Sequence, residues 1–155
     1  MATAVVLKVV GQPGNRSPRW LNVRIVDGSP IVVAERTTEP TPTDPEGVHR
    51  YFTSFLEAVE VFPPGAFDLC IDARNAPGRN DACFEEARAH YGPLIYQRFH
   101  LVAIVVNSVV GKLQLKRYRR EEPAQQFSTH PSVEDAIRYL DHHRNSGKSP
   151  GSLPR

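Results

Sequence analysis

The chain has 155 residues, 40% of them hydrophobic and 23% charged, with a formal net charge of +2. That composition fits one globular domain with a sizeable core and excludes wholesale disorder. No apolar run approaches the roughly 20 residues of a spanning helix, and a charge so near neutral defines no electrostatic partner for the chain as a whole.

The opening segment, MATAVVLKVVGQPG, carries no basic leader, and Lys8 interrupts an apolar stretch too short for secretion, so a cytoplasmic protein is expected. No element is assigned to residues 1–19, whose order stays open. WLNVRIVDGSPIVVAER, residues 20–36, alternates apolar and polar positions about Asp27-Gly28 and predicts an antiparallel hairpin. TTEPTPTDPEG then interrupts strand continuation with three prolines. A helix starts either with a Thr43/Glu46 capping box or with Asp44 as cap and Pro45 in its first position. Val48, Tyr51, Phe52, Phe55, Leu56 and Val59 follow at spacings of three and four, one buried face. Phe62-Pro63-Pro64-Gly65 ends it.

Residues 67–72 read as a strand covered on both faces. After the loop ARNAPGRND, Asn80 or Asp81 can cap a second helix that Gly92-Pro93 breaks or kinks. LVAIVVN, residues 101–107, is the most apolar strand and is expected at the sheet centre. Ser108 can cap the helix VVGKLQLKRYRREE. A brief strand over 125–128 and a last helix from Thr129 or Ser132, with Val133, Ala136, Ile137 and Leu140 on its buried stripe, close the fold. The tail from 144 to 155 is expected to be disordered. The sum is a single α/β domain with a mixed sheet, an antiparallel hairpin leading into right-handed crossover units.

In their order, the hairpin, the strand ending IDAR, LVAIVVN followed by SVVGKLQLKR, and the final QFSTHPSVEDAIRYL resemble the STAS-like domains related to bacterial anti-sigma factor antagonists, over about residues 20–143. The resemblance implies a small cytosolic signalling regulator without catalytic activity. Its partner would be a protein, a kinase-like anti-sigma factor or another regulator, released when a Ser at the start of the helix after the third strand is phosphorylated. The corresponding stretch here is Arg79, Asn80 and Asp81, which carries no hydroxyl. A phosphoryl group at a helix start would add roughly two negative charges where the dipole accepts them. Asp81 supplies one fixed charge that cannot be toggled. The loop therefore predicts an unswitched docking surface of Arg74, Asn75, Arg79, Asn80 and Asp81, with Lys112 and Lys116 on the following helix as a rim. The blander reading has Asp and Asn capping the helix and both arginines solvated. Ser128, Thr129 and Ser132 remain as hydroxyls elsewhere.

Two other readings stay open. Lys112, Lys116, Arg117, Arg119 and Arg120 cluster on one helix as a nucleic-acid footprint would, although Glu121 and Glu122 follow at once and a solvated face explains the run better. Arg74 and Arg79 beside a helix start beyond a strand end could instead hold a small anion. Gly111-Lys112 is no phosphate loop, because Val106 and Leu113 stand where Gly and Ser or Thr are required. Cys70 and Cys83 form no CxxC pair, the six histidines offer no i, i+4 pair, and no metal or cofactor is expected. Asp68, Asp72, Asp81 and Glu85 could pair as carboxylates, but no nucleophile accompanies them at a recognisable spacing. Self-association is a further option for the partner.

Overall fold

The computed structural model describes residues 8–9, 19–76, 78–79, 81–121 and 127–145. Six strands lie side by side in chain order: β1 (Lys8–Val9), β2 (Leu21–Ile25), β3 (Ile31–Arg36), β4 (Asp68–Asp72), β5 (Val102–Val105) and β6 (Ser128–His130). β1, β2 and β3 run antiparallel in turn, and β3 to β6 are parallel. The helices are α1 (Pro45–Glu60), α2 (Ala82–Tyr96), α3 (Val109–Glu121) and α4 (Val133–Asn145). This is the α/β mixed sheet with crossover helices that the pattern predicts. The hairpin turn uses Gly28 at φ 77°, where a side chain would be strained, and Val26 N–H donates to the Ile31 carbonyl at 2.9 Å to close it.

The faces of the sheet follow from strand alternation and from the order of its strands. Parallel strands added one after another by right-handed crossovers put successive helices on the same side. Val32, Ala34, Leu69, Ile71, Val102 and Ile104 accordingly form one core with residues of α1, α2 and α3. The intervening residues Ile31, Val33, Cys70, Ala103 and Val105 face Ala136 and Leu140 of α4. α4 follows the last strand and needs no crossover, so it can turn back beneath the other face. Asp68 pins it there: fully buried, it accepts from Arg144 Nε at 3.1 Å, Leu101 N–H at 3.1 Å and His100 Nδ1 at 3.2 Å.

Several boundaries differ from the expectations. β1 is an edge strand that the hairpin reading omits, because a two-residue bridge leaves no periodicity to read. β5 is an inner strand buried at every residue but stands next to the edge strand β6, so apolar content reflects cover on both faces and not centrality. The last strand is Ser128–His130, which takes Thr129 out of helix-start duty; Ser132 caps α4, its Oγ accepting from Asp135 N–H at 3.1 Å. α4 continues through Arg144 and Asn145, past the expected start of the tail, since the Asp68 contact holds its last turn. The tail beyond 145 and residues 125 and 126 lie outside the described residues. α2 passes through Pro93 without ending. The lost backbone bond costs about 3 kcal/mol, and burial of Tyr91 and Ile95 on either side of it offsets that cost.

Candidate functional site

The carboxyl ends of the parallel strands carry the features worth weighing: the loop between β4 and α2, the outer face of α3, and a cavity between them. Asp72 ends β4 with its side chain 3% exposed. It accepts from Arg74 Nε at 2.9 Å, from Arg74 Nη2 at 2.8 Å and from the Arg74 backbone N–H at 3.2 Å. Burial alone would raise the Asp72 carboxyl, but the bonds and charge of Arg74 outweigh it and hold it below its ordinary value. Asp81 is the N-cap of α2, accepting from Phe84 N–H at 3.3 Å. It also receives a fork from Arg79, Nε at 2.9 Å and Nη2 at 2.8 Å, and those bonds keep its carboxyl below the usual range.

The docking surface read from the loop is therefore changed in character. Arg79 is not solvated: its side chain is 12% exposed, it donates to the Pro42 carbonyl at 2.6 Å, and it lies over the Phe84 ring. Arg74 is exposed but closed on Asp72, and Asn75 donates to the Arg36 carbonyl at 3.3 Å. The capping half of the blander reading holds for Asp81; its solvated-arginine half fails for Arg79, while Arg74 is exposed. Asn80 lies outside the described residues. The small-anion reading built on Arg74 and Arg79 meets the same obstacle, since each arginine already carries a carboxylate.

Gln114 joins the loop to α3, its amide donating to the Arg79 carbonyl and, at 2.6 Å, to the Tyr118 hydroxyl. Lys112 and Lys116 stand exposed on α3 as expected. Three apolar neighbours that sequence reasoning did not single out are exposed with them: Val109 at 72%, Val110 at 65% and Leu113 at 61%. Gly78, Arg79, Val110, Leu113, Arg117 and Arg120 border a surface groove of about 450 Å³ between loop and helix. Of the α3 side chains only Tyr118 is buried. Its hydroxyl donates to Glu85 Oε1 at 3.1 Å, and burial, reinforced by the Glu85 charge, raises its pKa. Glu85 also pairs with Arg117 and, at 3.6 Å, with Arg88, whose guanidinium stacks 3.5 Å from the Tyr118 ring centroid.

Under α3, between it, α1, α2 and the sheet, is a cavity of about 170 Å³. It is lined by the buried side chains of Phe52, Phe55, Ile71, Ile95 and Ile104 and by half-buried Leu115, and toward the strand ends by Arg36, Arg74, Gly78, Asn107 and Ser108. The cavity exists because the inward positions of α3 are poor in volume. Gln114, a polar residue bonded to the Arg79 carbonyl and the Tyr118 hydroxyl, stands where a well-packed helix would carry a large apolar residue.

No family model, curated protein or solved structure matches this chain.

Arg36 was the residue most readily overlooked. Its signal is in IVVAER, because strand alternation puts it on the same side as Val32 and Ala34, facing the core. Neither cysteine is bonded, and burial, reinforced by the Asp72 charge, pushes the Cys70 thiol up to about 12, so it stays an uncharged packing group. Among the described residues no group of His, Cys, Asp or Glu is placed to hold a metal ion, and no helix is long and apolar enough to cross a membrane.

Proposed function

We propose that the chain is a protein-interaction domain of STAS-like type in cytoplasmic bacterial signalling, without chemistry of its own, which docks its partner on the outer face of α3 beside the β4–α2 loop. One observation carries this reading: Val109, Val110 and Leu113 are exposed together, at 61% to 72%, amid Lys112, Lys116, Arg117 and Arg120. Solvation explains a cationic helix face, but it gives no reason for three adjoining large apolar side chains in water. Apolar side chains and cations interleaved on one helix complement an acidic amphipathic helix, whose apolar stripe would enter the groove while its carboxylates meet the rim. The loop contributes shape more than charge, because Arg79 is spent on Asp81 and Pro42. Without a hydroxyl at 79–81 the docking is unswitched there.

The test is fluorescence anisotropy with two helical peptides of the same leucine spacing, one with Glu and one with Lys on its polar face. The acidic peptide should bind, with only moderate weakening by salt, and Leu113→Asp should abolish binding. That exposed substitution should leave stability within about 0.5 kcal/mol. Equal binding of both peptides, or indifference to Leu113→Asp, would remove this face from the account. Binding of duplex DNA or RNA with a steep salt slope, lost on Lys116→Ala and Arg120→Ala, would replace it with nucleic-acid binding.

A further inference from the structure

The cavity under α3 is bordered by a buried cation that has no counter-charge among the described residues, an observation independent of the outer face of that helix. Arg36, the last residue of β3, is 2% exposed. Its guanidinium donates to the Trp20 carbonyl at 3.0 Å, the Glu39 carbonyl at 3.4 Å and Thr41 Oγ1 at 3.1 Å, all neutral oxygens. It lies 5.0 Å from the Tyr51 ring centroid, and both residues border the cavity. Among the described residues no carboxylate comes within ion-pair distance of it. The other arginines around the cavity each have one: Arg74 with Asp72, Arg79 with Asp81 and Arg88 with Glu85. A buried charge left with dipoles alone is costly, and the cost falls when an opposite charge arrives with hydrogen-bond acceptors.

We propose that the cavity binds a small monocarboxylic acid whose apolar body is about the size of one aromatic ring, with the carboxylate on Arg36. Size and wall chemistry limit the ligand together. Apolar cavities of about 150 Å³ take up benzene, so about 170 Å³ accepts one ring and not a nucleotide. Phe52, Phe55, Ile71, Ile95 and Ile104 give the cavity apolar walls, and of its polar lining groups Arg74, Arg79, Arg88 and Gln114 already have partners. One uncompensated cation calls for one negative charge. The acid group lies on the strand-end side, where Arg36 ends β3, and the apolar body fills the space beneath Gln114 and Leu115 of α3.

Isothermal titration of the intact chain with phenylacetate and with phenylethanol, the same ring without the acid, tests this. Phenylacetate should bind at least about tenfold more tightly, the ratio expected for a charge-assisted bond. Arg36→Met should remove most of that preference while phenylethanol still binds, and Arg36→Lys should keep part of it. Because Arg36 also ties Trp20, just before β2, to the loop before α1, Arg36→Met is read only where its circular dichroism is native. Leu115→Phe provides the second arm: it fills the cavity from the α3 side, should weaken both ligands at least about tenfold, and should not lower the melting temperature. Equal affinities, no binding of either compound, an acid preference surviving in folded Arg36→Met, or insensitivity to Leu115→Phe would each overturn the assignment.

Discussion

Arg74 and Arg79 each close a two-pronged fork on an aspartate two positions away, Asp72 and Asp81. At Asp72 the fork matters for stability, because that carboxylate is nearly buried and its pKa in the folded chain is depressed. A depressed carboxylate contributes stability that is present above the unfolded value, near 3.9, and is lost as pH falls through the folded value. Asp72→Asn should therefore be less stable than the parent chain at neutral pH, with the gap closing as pH falls below about 4. Urea melts across that range check it; a gap that stays constant with pH would mean that the Arg74 fork carries no net charge stabilisation. Of these pairings the residue types were legible and the geometry was not. Sequence places Arg and Asp in one loop, but whether they face solvent or each other depends on the turn that brings them together.

At the scale of elements, α1 shows how a local rule and a packing constraint can oppose each other. Asp44 caps it, accepting from Gly47 N–H at 3.0 Å, with Pro45 in the first turn. Alanine is the better helix former by about 1 kcal/mol, so propensity alone favours Gly47→Ala. A Cβ at Gly47 would overlap the Pro42 ring and stand 2.7 Å from Asp44 Oδ1. The Pro42 ring is stiff and its carbonyl is held by Arg79, so the strain term, typically 1–3 kcal/mol, should win. Gly47→Ala should lose about 1 kcal/mol or more in chemical denaturation; a gain would show that the α1 loop yields easily. α3 presents the converse case. Its basic face was legible, whereas Val109, Val110 and Leu113 went unremarked, because nothing local says whether they face the core or solvent. Only the position of the helix turns them outward.

For the molecule as a whole, the two faces of the sheet are unequally served. Among the described residues three helices cover one, and α4 covers the other, with Leu140 wholly buried among residues from β3, β4 and β5. Leu140→Ala should cost about 2–5 kcal/mol, and the same truncation at Leu115, which is half-buried and already beside a cavity, should cost clearly less. Equilibrium unfolding of both variants checks the order. A reversed order would mean that α3 is held more firmly than its burial indicates.

The sequence by itself determined the fold class, the hairpin, a cap at Ser108 and the buried stripe of α1, and narrowed the caps of α1 and α2 to Thr43 or Asp44 and to Asn80 or Asp81, because each depends on residues within a few positions of one another. Tertiary structure decided the rest. It spent the loop arginines on neighbouring aspartates, turned an apolar patch of α3 to solvent, left a cavity beneath that helix, and placed Arg36 beside it with no carboxylate of the described residues within ion-pair distance. Apart from the two arginine forks, which depend on the turn that folds the loop on itself, these are relations between residues distant in the chain, set by how helices of given volume settle on a sheet, and no local pattern encodes the space that remains between them.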